Sequence, residues 1–169
     1  MKKIDISTKK YPNTFAKVDD EDFEILNTHK WYYSSARGKM YTSRNIRING
    51  KRKRLYMHTA ILGKVASKEI DHRNGDTLDN QRCNLRHCTH AENSQNRKIN
   101  ANSTSGFKGV SWDNNNKKWK SRITHNGKLI HLGLFPCLTK AVKCYTEAAK
   151  KYHGNFSSNF NQENKNGIQ

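Results

Sequence analysis

The sequence predicts an α+β fold in three parts: an N-terminal β segment, a central strand, loop, strand and helix, and a C-terminal three-stranded antiparallel sheet packed on one helix. Three observations lead to this prediction. Only 33% of the 169 residues are hydrophobic, which is too few for one large core. Aromatic and β-branched runs near both ends are separated by polar turns. Between them, residues 70–93 hold an Asp-His pair and several Asn residues in a turn-rich stretch.

Basic residues dominate the chain. There are 32 Lys and Arg against 14 Asp and Glu, which gives a net charge of +18, and the pI is near 9.9. Solubility requires less charge than this, so a polyanionic partner is expected, with nucleic acid as the first candidate. An anionic membrane surface is the alternative, but the basic residues alternate with apolar strand positions instead of lining an amphipathic helix. No membrane partner is therefore predicted.

Neither a membrane span nor a secretion signal is evident, so a cytoplasmic location is expected. No apolar run approaches the ~20 residues of a transmembrane helix, and the start "MKKIDISTKK" lacks the apolar stretch of a signal peptide. The four cysteines match neither a disulfide framework nor the tight pairs of a zinc knuckle. We expect free thiols at Cys83, Cys88, Cys137 and Cys144.

Residues 1–57 are predicted to be a β-rich, DNA-contacting segment, with strands in "FAKVDDEDFEIL", "KWYYSSA", "KMYTSRNIRI" and "RKRLYMH". The pair Asn49-Gly50 predicts a tight hairpin, because a primed turn needs positive φ at both positions. The basic residues on this hairpin are Arg44, Arg47, Lys51, Arg52, Lys53 and Arg54. They form either a solvated edge that prevents aggregation or a phosphate-binding surface, and the net charge favours phosphate binding.

The central segment begins with "HTAILGK", a predicted turn of helix that ends at Gly63. The elements that follow are, in order, a strand into Asp71-His72, a loop with turns at 74–75 and 79–80, an extended piece near Leu85, and a helix from about His90. Thr89 and Glu92 have the spacing of a capping box, which supports this helix start.

The Asp-His pair suits hydrolysis of a phosphodiester, which needs an activated water and a stabilised leaving oxygen. A hard divalent cation with oxygen ligands serves the leaving oxygen. Neighbouring side chains on a strand point to opposite sides, so Asp71 and His72 can address metal and water separately. His72 is then the natural general base. Asn93, on the following helix, can complete the metal site through its amide oxygen.

The segment resembles the HNH nucleases, and more closely the intron-associated homing endonucleases of phages and bacteria whose ββα-metal motif ends in Asn. The matching stretches are "IDH" at 70–72, "GDTLDN" at 75–80, "NLR" at 84–86 and "THAEN" at 89–93. The resemblance implies a ββα-metal HNH nuclease over residues 58–97, with Asp71 and Asn93 as metal ligands and His72 as general base. It makes Asn84 the middle Asn, whose amide ties the loop backbone and orients the His, and His58 a secondary catalytic candidate.

The resemblance also implies one divalent cation, Mg²⁺, for which Mn²⁺ can substitute. One carboxylate and one amide make a weak site, so metal binding is expected to be complete only when DNA phosphate oxygens join the coordination. The alternative is a turn region whose His and Asn residues merely cap local structure. His87, His90 and Asn96 are expected to be structural, solvent-facing or phosphate-contacting residues, not metal ligands. The arginines around the motif that are expected to contact DNA are Arg73, Arg86 and Arg97.

Residues 98–105, "KINANSTS", have the composition of a linker. Residues 106–161 predict three strands in "FKGVSWD", "KKWKSRIT" and "KLIHLGLF", with turns at 114–116 and at Asn126-Gly127. A helix follows, whose apolar stripe consists of Ala141, Val142, Tyr145, Ala148, Ala149 and Tyr152. Gly154 is placed to end this helix, and residues 162–169 are expected to be a frayed tail.

The second predicted strand of this sheet has a basic face, because Lys118, Lys120, Arg122 and Thr124 alternate with Trp119, Ser121 and Ile123. The segment resembles the plant Apetala and ethylene-response-factor DNA-binding domain in "FKGVSW", "KKWKSRI", "LGLF", "KAVKCYTEAAKKYHG" and the closing "NF". That resemblance implies that the sheet lies in the major groove with the helix behind it. The residues it places toward DNA are Lys108, Ser111, Trp112, Lys120, Arg122, Thr124 and His131.

This segment departs from the plant pattern. Ser111 and Trp112 stand where the plant domains have an Arg-rich first strand, and Leu129 and His131 occupy the region of a plant-type Arg. The plant sequence preference is therefore not expected here.

Together these features predict a site-selective endonuclease of the HNH homing type that acts on double-stranded DNA as a monomer. One active site favours nicking of one strand, unless two copies meet on the DNA and cut both. Phosphate contacts supply salt-sensitive affinity, and the C-terminal sheet supplies register and base readout. Two alternatives stand beside it. One is a sequence-specific DNA-binding regulator with an inactive HNH motif, and the other is a nonspecific HNH nuclease in which the C-terminal sheet only adds affinity.

Overall fold

The structure is a computed structural model that describes residues 1–36, 39–96, 99 and 103–157. The chain divides into two compact units, Met1–Thr89 and His90–Gln169. The predicted linker at 98–105 and tail at 162–169 lie partly or wholly outside the described residues. Within the described ranges, no helix is both long and apolar enough to cross a membrane.

Three small antiparallel sheets build the N-terminal unit. Its elements are β1 (Lys2–Asp5), β2 (Phe15–Val18), α1 (Asp20–Asn27), β3 (Tyr32–Ala36), β4 (Lys39–Ile48), β5 (Lys51–Tyr56), α2 (Met57–Leu62), β6 (Glu69–His72) and β7 (Leu85–Cys88). The sheets pair β1 with β2, β3 with β4 and β5, and β6 with β7. The unit therefore presents β6 and β7, the two strands of the predicted nuclease motif, as one hairpin.

Most predicted elements of this unit are confirmed. Strands β3, β4 and β5 form as expected, and Asn49 and Gly50 have φ of 50° and 73° at the hairpin turn. Helix α2 ends at Gly63, which has φ of 72°.

The strand predicted over "FAKVDDEDFEIL" is wrong beyond Val18, because the chain turns into helix α1 there. Three acidic residues fill the first turn of α1, where negative charge is favoured by the helix dipole. Leu26 is buried, and Phe23, three residues earlier, packs against the same core.

One hydrophobic core serves the whole N-terminal unit. Its buried members are Ile4, Ile6, Ala16, Val18, Leu26, Trp31, Met57, Ile61 and Leu85. The indole nitrogen of Trp31 donates to the carbonyl oxygen of Leu26 at 2.8 Å. Because this core draws on residues before and after position 57, the N-terminal β segment and the β6–β7 hairpin fold as one body.

The N-terminal segment also holds the loop between β6 and β7. The backbone N–H of Lys17 donates to Leu78 O, and the N–H of Asn80 donates to Lys17 O, both at 2.8 Å. Arg82 donates to both carboxylate oxygens of Asp22 on α1, at 2.8 and 2.7 Å, and its backbone N–H donates to Asp19 at 2.7 Å. These contacts fix the loop that lies beside His72.

The C-terminal unit contains α3 (His90–Gln95), β8 (Val110–Asp113), β9 (Lys118–His125), β10 (Lys128–Phe135), α4 (Leu138–His153) and a 3₁₀ turn at Gly154–Phe156. The sheet is antiparallel in the order β10-β9-β8. Its core joins the sheet to α4 through Val110, Ile123, Ala141, Tyr145, Ala148 and Ala149. The start of α3, the three strands, the turn at Asn126-Gly127 and the packed helix are all confirmed.

Candidate active site and DNA-facing surfaces

The end of strand β6 presents Asp71 and His72, which are only 6% and 5% exposed. The antiparallel register with β7 pairs Asp71 with Arg86 and His72 with Leu85. Leu85 belongs to the hydrophobic core. The strand therefore buries both predicted chemical groups at the edge of the hydrophobic core.

The imidazole of His72 is part of a cluster of four rings, formed by Tyr41, Tyr56, His58 and His72, which we call the ring cluster. The His58 and His72 ring centroids are 5.3 Å apart with an interplanar angle of 90°. Tyr56 stacks on His58 at 5.4 Å and 7°, and Tyr41 lies 5.7 Å from His58 and 6.3 Å from His72. The cluster brings β4, β5 and α2 to the end of β6 and fixes the plane of His72.

Burial keeps both histidines neutral. Burial, with a smaller contribution from the charge of a protonated His72, lowers the pKa of His58 to about 4. Burial also lowers the pKa of His72, against the opposing effects of a hydrogen bond to Asn80 and of nearby carboxylates, of which Asp71 is the strongest. A neutral imidazole is the form that can accept a proton.

Asn84 ties together both ends of the turn-rich loop, as the resemblance implied. Its side-chain oxygen accepts a hydrogen bond from the backbone N–H of Asn74 at 3.0 Å. Its amide nitrogen donates to the carbonyl oxygen of Asp79 at 2.7 Å. The side chain is buried, so these two bonds satisfy a polar group that would otherwise be costly to bury.

Asn80 contacts His72 directly, a role that the sequence did not assign. Its Oδ1 lies 3.4 Å from His72 Nε2, while its Nδ2 donates to Leu78 O at 3.3 Å. The donated bond orients the amide so that its oxygen faces the imidazole, which favours the tautomer with a proton on Nε2. Asn80 is the last residue of the "GDTLDN" stretch of the motif, and this position is the sequence signal that could have indicated its contact with His72.

Asp71 and Arg86 form a buried ion pair. The Nε and Nη2 atoms of Arg86 lie 2.9 and 2.7 Å from Asp71 Oδ2, and the Arg86 side chain is only 10% exposed. Arg86 was predicted to contact DNA, but here its guanidinium holds the carboxylate instead. The charge-assisted hydrogen bonds of this pair compensate the cost of removing both charged groups from water.

The donor set at this position fits a hard divalent cation in kind, because Asp71 offers carboxylate oxygen. A cation held there would share the carboxylate with Arg86. Among the described residues no group of three or more His, Cys, Asp or Glu is placed to hold a metal ion.

Three further residues predicted around the motif are Arg73, Asn93 and Arg97. Arg73 follows β6 and is exposed. Asn93 lies half-buried on α3, which belongs to the C-terminal unit. Its assignment as a metal ligand rests on the motif spacing. Arg97 lies outside the described residues.

The sheet of the C-terminal unit has one polar face. In register, Lys120 pairs with Ser111, Arg122 with His131, and Thr124 with Leu129. Arg122, Thr124 and His131 are exposed. Lys120 lies 2.8 Å from Asp113, and this ion pair lowers the pKa of Asp113.

Two predicted DNA contacts of this unit are placed elsewhere. Trp112 pairs with Trp119, with ring centroids 5.2 Å apart, so it lies on the face opposite Lys120 and Arg122. It is therefore not part of the polar face. The ammonium group of Lys108 donates to Gln95 O at the end of α3.

The basic residues of the β4–β5 hairpin separate onto different surfaces. Arg47, Arg52 and Arg54 are exposed, as is Lys51. Arg44 instead lies over the Trp31 ring at 5.4 Å, on the core side of the sheet. Arg44 therefore packs against the protein where a DNA contact was expected.

Comparison with known proteins places this site in a class. A family model described as HNH endonuclease matches residues 58–95, so the chain carries a nuclease domain of that class. Protein 3.8 of Escherichia phage T7 is 34% identical over 88 residues, which covers 52% of this chain and 72% of that protein. An uncharacterized HNH endonuclease of Acanthamoeba polyphaga mimivirus is 26% identical over 147 residues, which covers 86% of this chain and 74% of that protein. No solved structure matches this chain significantly.

Proposed function

We propose that the chain is a site-selective DNA endonuclease that hydrolyses a phosphodiester bond with His72 as general base and nicks one strand. The observation that carries this proposal is a buried, neutral His72 beside the buried carboxylate of Asp71. Both follow from the fold, since β6 places the pair and the ring cluster fixes the imidazole.

The chain's own residues supply the base. As a water oxygen forms its bond to phosphorus, its proton passes to the neutral imidazole of His72, and the bond from phosphorus to the leaving oxygen breaks. Asn80 holds the imidazole at Nε2. Asn84 keeps the loop that carries Asn80 in place through its bonds to the backbone of Asn74 and Asp79.

The HNH resemblance assigns one divalent cation, Mg²⁺ or Mn²⁺, to Asp71 and Asn93. When bound, such a cation stabilises the negative charge that develops on the leaving oxygen. Arg86 holds the Asp71 carboxylate in a fixed position at 2.7 Å. The pairing compensates the burial of the carboxylate with charge-assisted hydrogen bonds.

The polar face of the β8–β10 sheet is proposed to contact the major groove and to select the site. Arg122, Thr124 and His131 are exposed on one face, and alternate side chains on a strand can follow neighbouring base edges or phosphates. A monomer carries one HNH segment, at residues 58–95. This single segment supports nicking of one strand.

Plasmid nicking tests the proposal. Supercoiled plasmids with random inserts are incubated with the protein in Mg²⁺ or Mn²⁺, and conversion to open circles is measured. His72→Ala is expected to lower the rate by ~10²–10⁴ and to leave DNA affinity within a few-fold, because a general base acts mainly in the transition state. His29→Ala removes an exposed histidine from the same unit and should change neither quantity.

The outcomes also separate the two alternatives. A defined DNA footprint without nicking would identify a regulator with an inactive motif. Nicking at scattered positions with uniform weak protection would identify a nonspecific nuclease. Equal nicking by His72→Ala and the unchanged protein would remove His72 from the mechanism.

A further inference from the structure

The β4–β5 hairpin has two faces that carry similar charge but have different neighbours. Its register pairs Ser43 with Tyr56, Asn45 with Arg54, and Arg47 with Arg52. Two side chains that pair directly across the strands lie on the same face of the sheet. Because side chains alternate along a strand, the pairs two residues away lie on that same face. Arg47, Arg52 and Arg54 therefore lie together on one face, which we call the arginine face.

The arginine face is continuous with the ring cluster. Tyr56 follows Arg54 by two residues on β5, and Tyr41 precedes Ser43 by two residues on β4. Both tyrosines contact His58, and Tyr41 also contacts His72. A chain of side chains on this face thus leads from the exposed hairpin turn, through Tyr56 and Tyr41, to the buried imidazole of the proposed general base.

The opposite face of the hairpin leads to the core. Lys51 and Lys53 alternate with the arginines along β5, so they lie on the other face of the hairpin. Leu55 lies on that same face as the two lysines. Leu55 packs against the hydrophobic core, and Arg44, which pairs with Leu55, lies over Trp31. We call the Lys51 and Lys53 side the lysine face.

We propose that the arginine face binds the phosphates of the DNA strand that leads to the bond attacked at His72, and that the lysine face does not. The position of the attacked bond rests on the proposed function, whereas phosphate binding by this face can be tested without it. Charge complementarity identifies the occupant as a polyanionic backbone.

The chemistry of the face suits phosphate. A guanidinium presents a planar fork that binds phosphate oxygens bidentately, which an ammonium group cannot do. Arg47, Arg52 and Arg54 are exposed, and within the described ranges none of them forms an ion pair with a carboxylate. Their charge is therefore uncompensated at the surface.

The dimensions also suit a DNA strand. Two residues along a strand advance ~7 Å, so the six residue steps from Tyr41 to Arg47 span roughly 20 Å. With one phosphate per ~3.4 Å of axis on each DNA strand, this length corresponds to about six base pairs. The contacts should therefore fall on one side of the nick, within about that distance.

The test compares two double variants on the same strand. Arg52→Ala with Arg54→Ala removes two charges from the arginine face, and Lys51→Ala with Lys53→Ala removes two from the lysine face. DNA affinity is measured by fluorescence anisotropy over a series of salt concentrations, with thermal unfolding as a check that both variants fold. The arginine variant should reduce the slope of log K against log salt by about two, and the lysine variant by less than about one-half.

Phosphate ethylation interference then locates the contacts. The unchanged protein and the lysine variant should show interference within about six base pairs on one side of the nick, and the arginine variant should lose it. Equal slopes for the two variants would overturn the proposal, whether both fall or neither does. If the protein binds DNA without cutting, the slopes still decide the question of this surface, while the proposed endonuclease function fails separately.

Discussion

At the scale of single residues, Asn84 shows how one side chain can hold a site that it does not enter. Its amide accepts from Asn74 and donates to Asp79, at the two ends of the loop beside His72. No apolar residue can replace both bonds. The loop, and with it the contact between Asn80 and His72, should therefore depend on this amide.

Replacing Asn84 is expected to weaken both the fold and the reaction. Asn84→Ala leaves the N–H of Asn74 and the carbonyl of Asp79 without this partner, which should lower the free energy of unfolding by ~1–3 kcal/mol. The nicking rate should fall further than DNA affinity, since His72 loses its support. Chemical unfolding and single-turnover nicking measure the two effects. Asn84→Asp keeps an acceptor for the Asn74 N–H but places a carboxylate oxygen against the Asp79 carbonyl, so it should lose at least as much stability as Asn84→Ala. A smaller loss than that of Asn84→Ala would contradict the role of the bond to Asp79.

The pKa of His58 predicts an acid-sensitive fold. His58 is enclosed by Tyr41, Tyr56 and His72, and its pKa falls from 6.5 to about 4. Because the unfolded chain takes up a proton near pH 6.5 and the folded chain only near pH 4, the stability from neutral His58 is complete above pH 6.5. It is lost as the pH falls through this window.

His58→Phe keeps a buried ring without a titrating group, so its unfolding free energy should depend less on pH between 6.5 and 4. The expected difference from the unchanged protein across this window is roughly 1–3 kcal/mol. Urea unfolding at a series of pH values measures it, and His29→Ala serves as the control because His29 is exposed. Identical pH profiles for His58→Phe and the unchanged protein would refute the burial of a neutral His58.

The sequence located the residues of the site better than their partners. The motif spacing gave the positions of Asp71, His72 and Asn84 directly. Tyr41 and Tyr56 were missed because they come from another sheet, and only the folded chain brings Tyr41 to His72 and Tyr56 to His58. Charge alone predicted that Arg86 contacts DNA, whereas its pairing with Asp71 depends on the β6–β7 register.

At the scale of elements, the C-terminal sheet depends on a close approach before β8. Gly109 has φ of 71°, and a Cβ there would lie 2.0 Å from the buried Tyr145 ring and 2.5 Å from Arg122 O. The backbone N–H of Arg122 donates to Gly109 O at 2.9 Å. This geometry allows β8, β9 and α4 to meet.

Gly109→Ala is expected to destabilise the C-terminal unit by several kcal/mol, because the added carbon collides with backbone and with a buried ring. Gly127→Ala is the matched control. Gly127 also has positive φ, 74°, but its Cβ would meet nothing within 4 Å, so the cost is limited to ~1 kcal/mol of backbone strain. Hydrogen exchange in β8–β10 measures both effects, and equal loss of protection in the two variants would contradict the predicted collision.

The sequence predicted the correct type of element where it contains a clear turn signal or a clear spacing of apolar residues. The Asn-Gly pairs fixed both hairpin turns, and the apolar stripe fixed α4. Helix α1 was missed because "FEIL" contains strand-forming residues, and its acidic first turn was not given weight. Trp112 was assigned to the DNA face by resemblance, but the β8–β9 register places it opposite Trp119.

At the scale of the whole molecule, composition predicted the partner class and the motif predicted the family. The net charge of +18 is spread over both units, and the match at residues 58–95 identifies the nuclease domain. The number of separately folded units was harder to predict from the sequence. Sequence patterns gave three parts, whereas the first two share one core through residues such as Trp31, Met57 and Leu85.

The central claim is that this chain cuts DNA at selected sites with His72 at the centre of the reaction. Its most direct test is to incubate the protein and its His72→Ala variant with a genomic and randomised duplex library in Mg²⁺ or Mn²⁺, and then to sequence new 5′ ends. The account predicts ends that cluster at one motif, lie on one strand and disappear with the variant. DNA that is demonstrably bound but acquires no His72-dependent ends would contradict it.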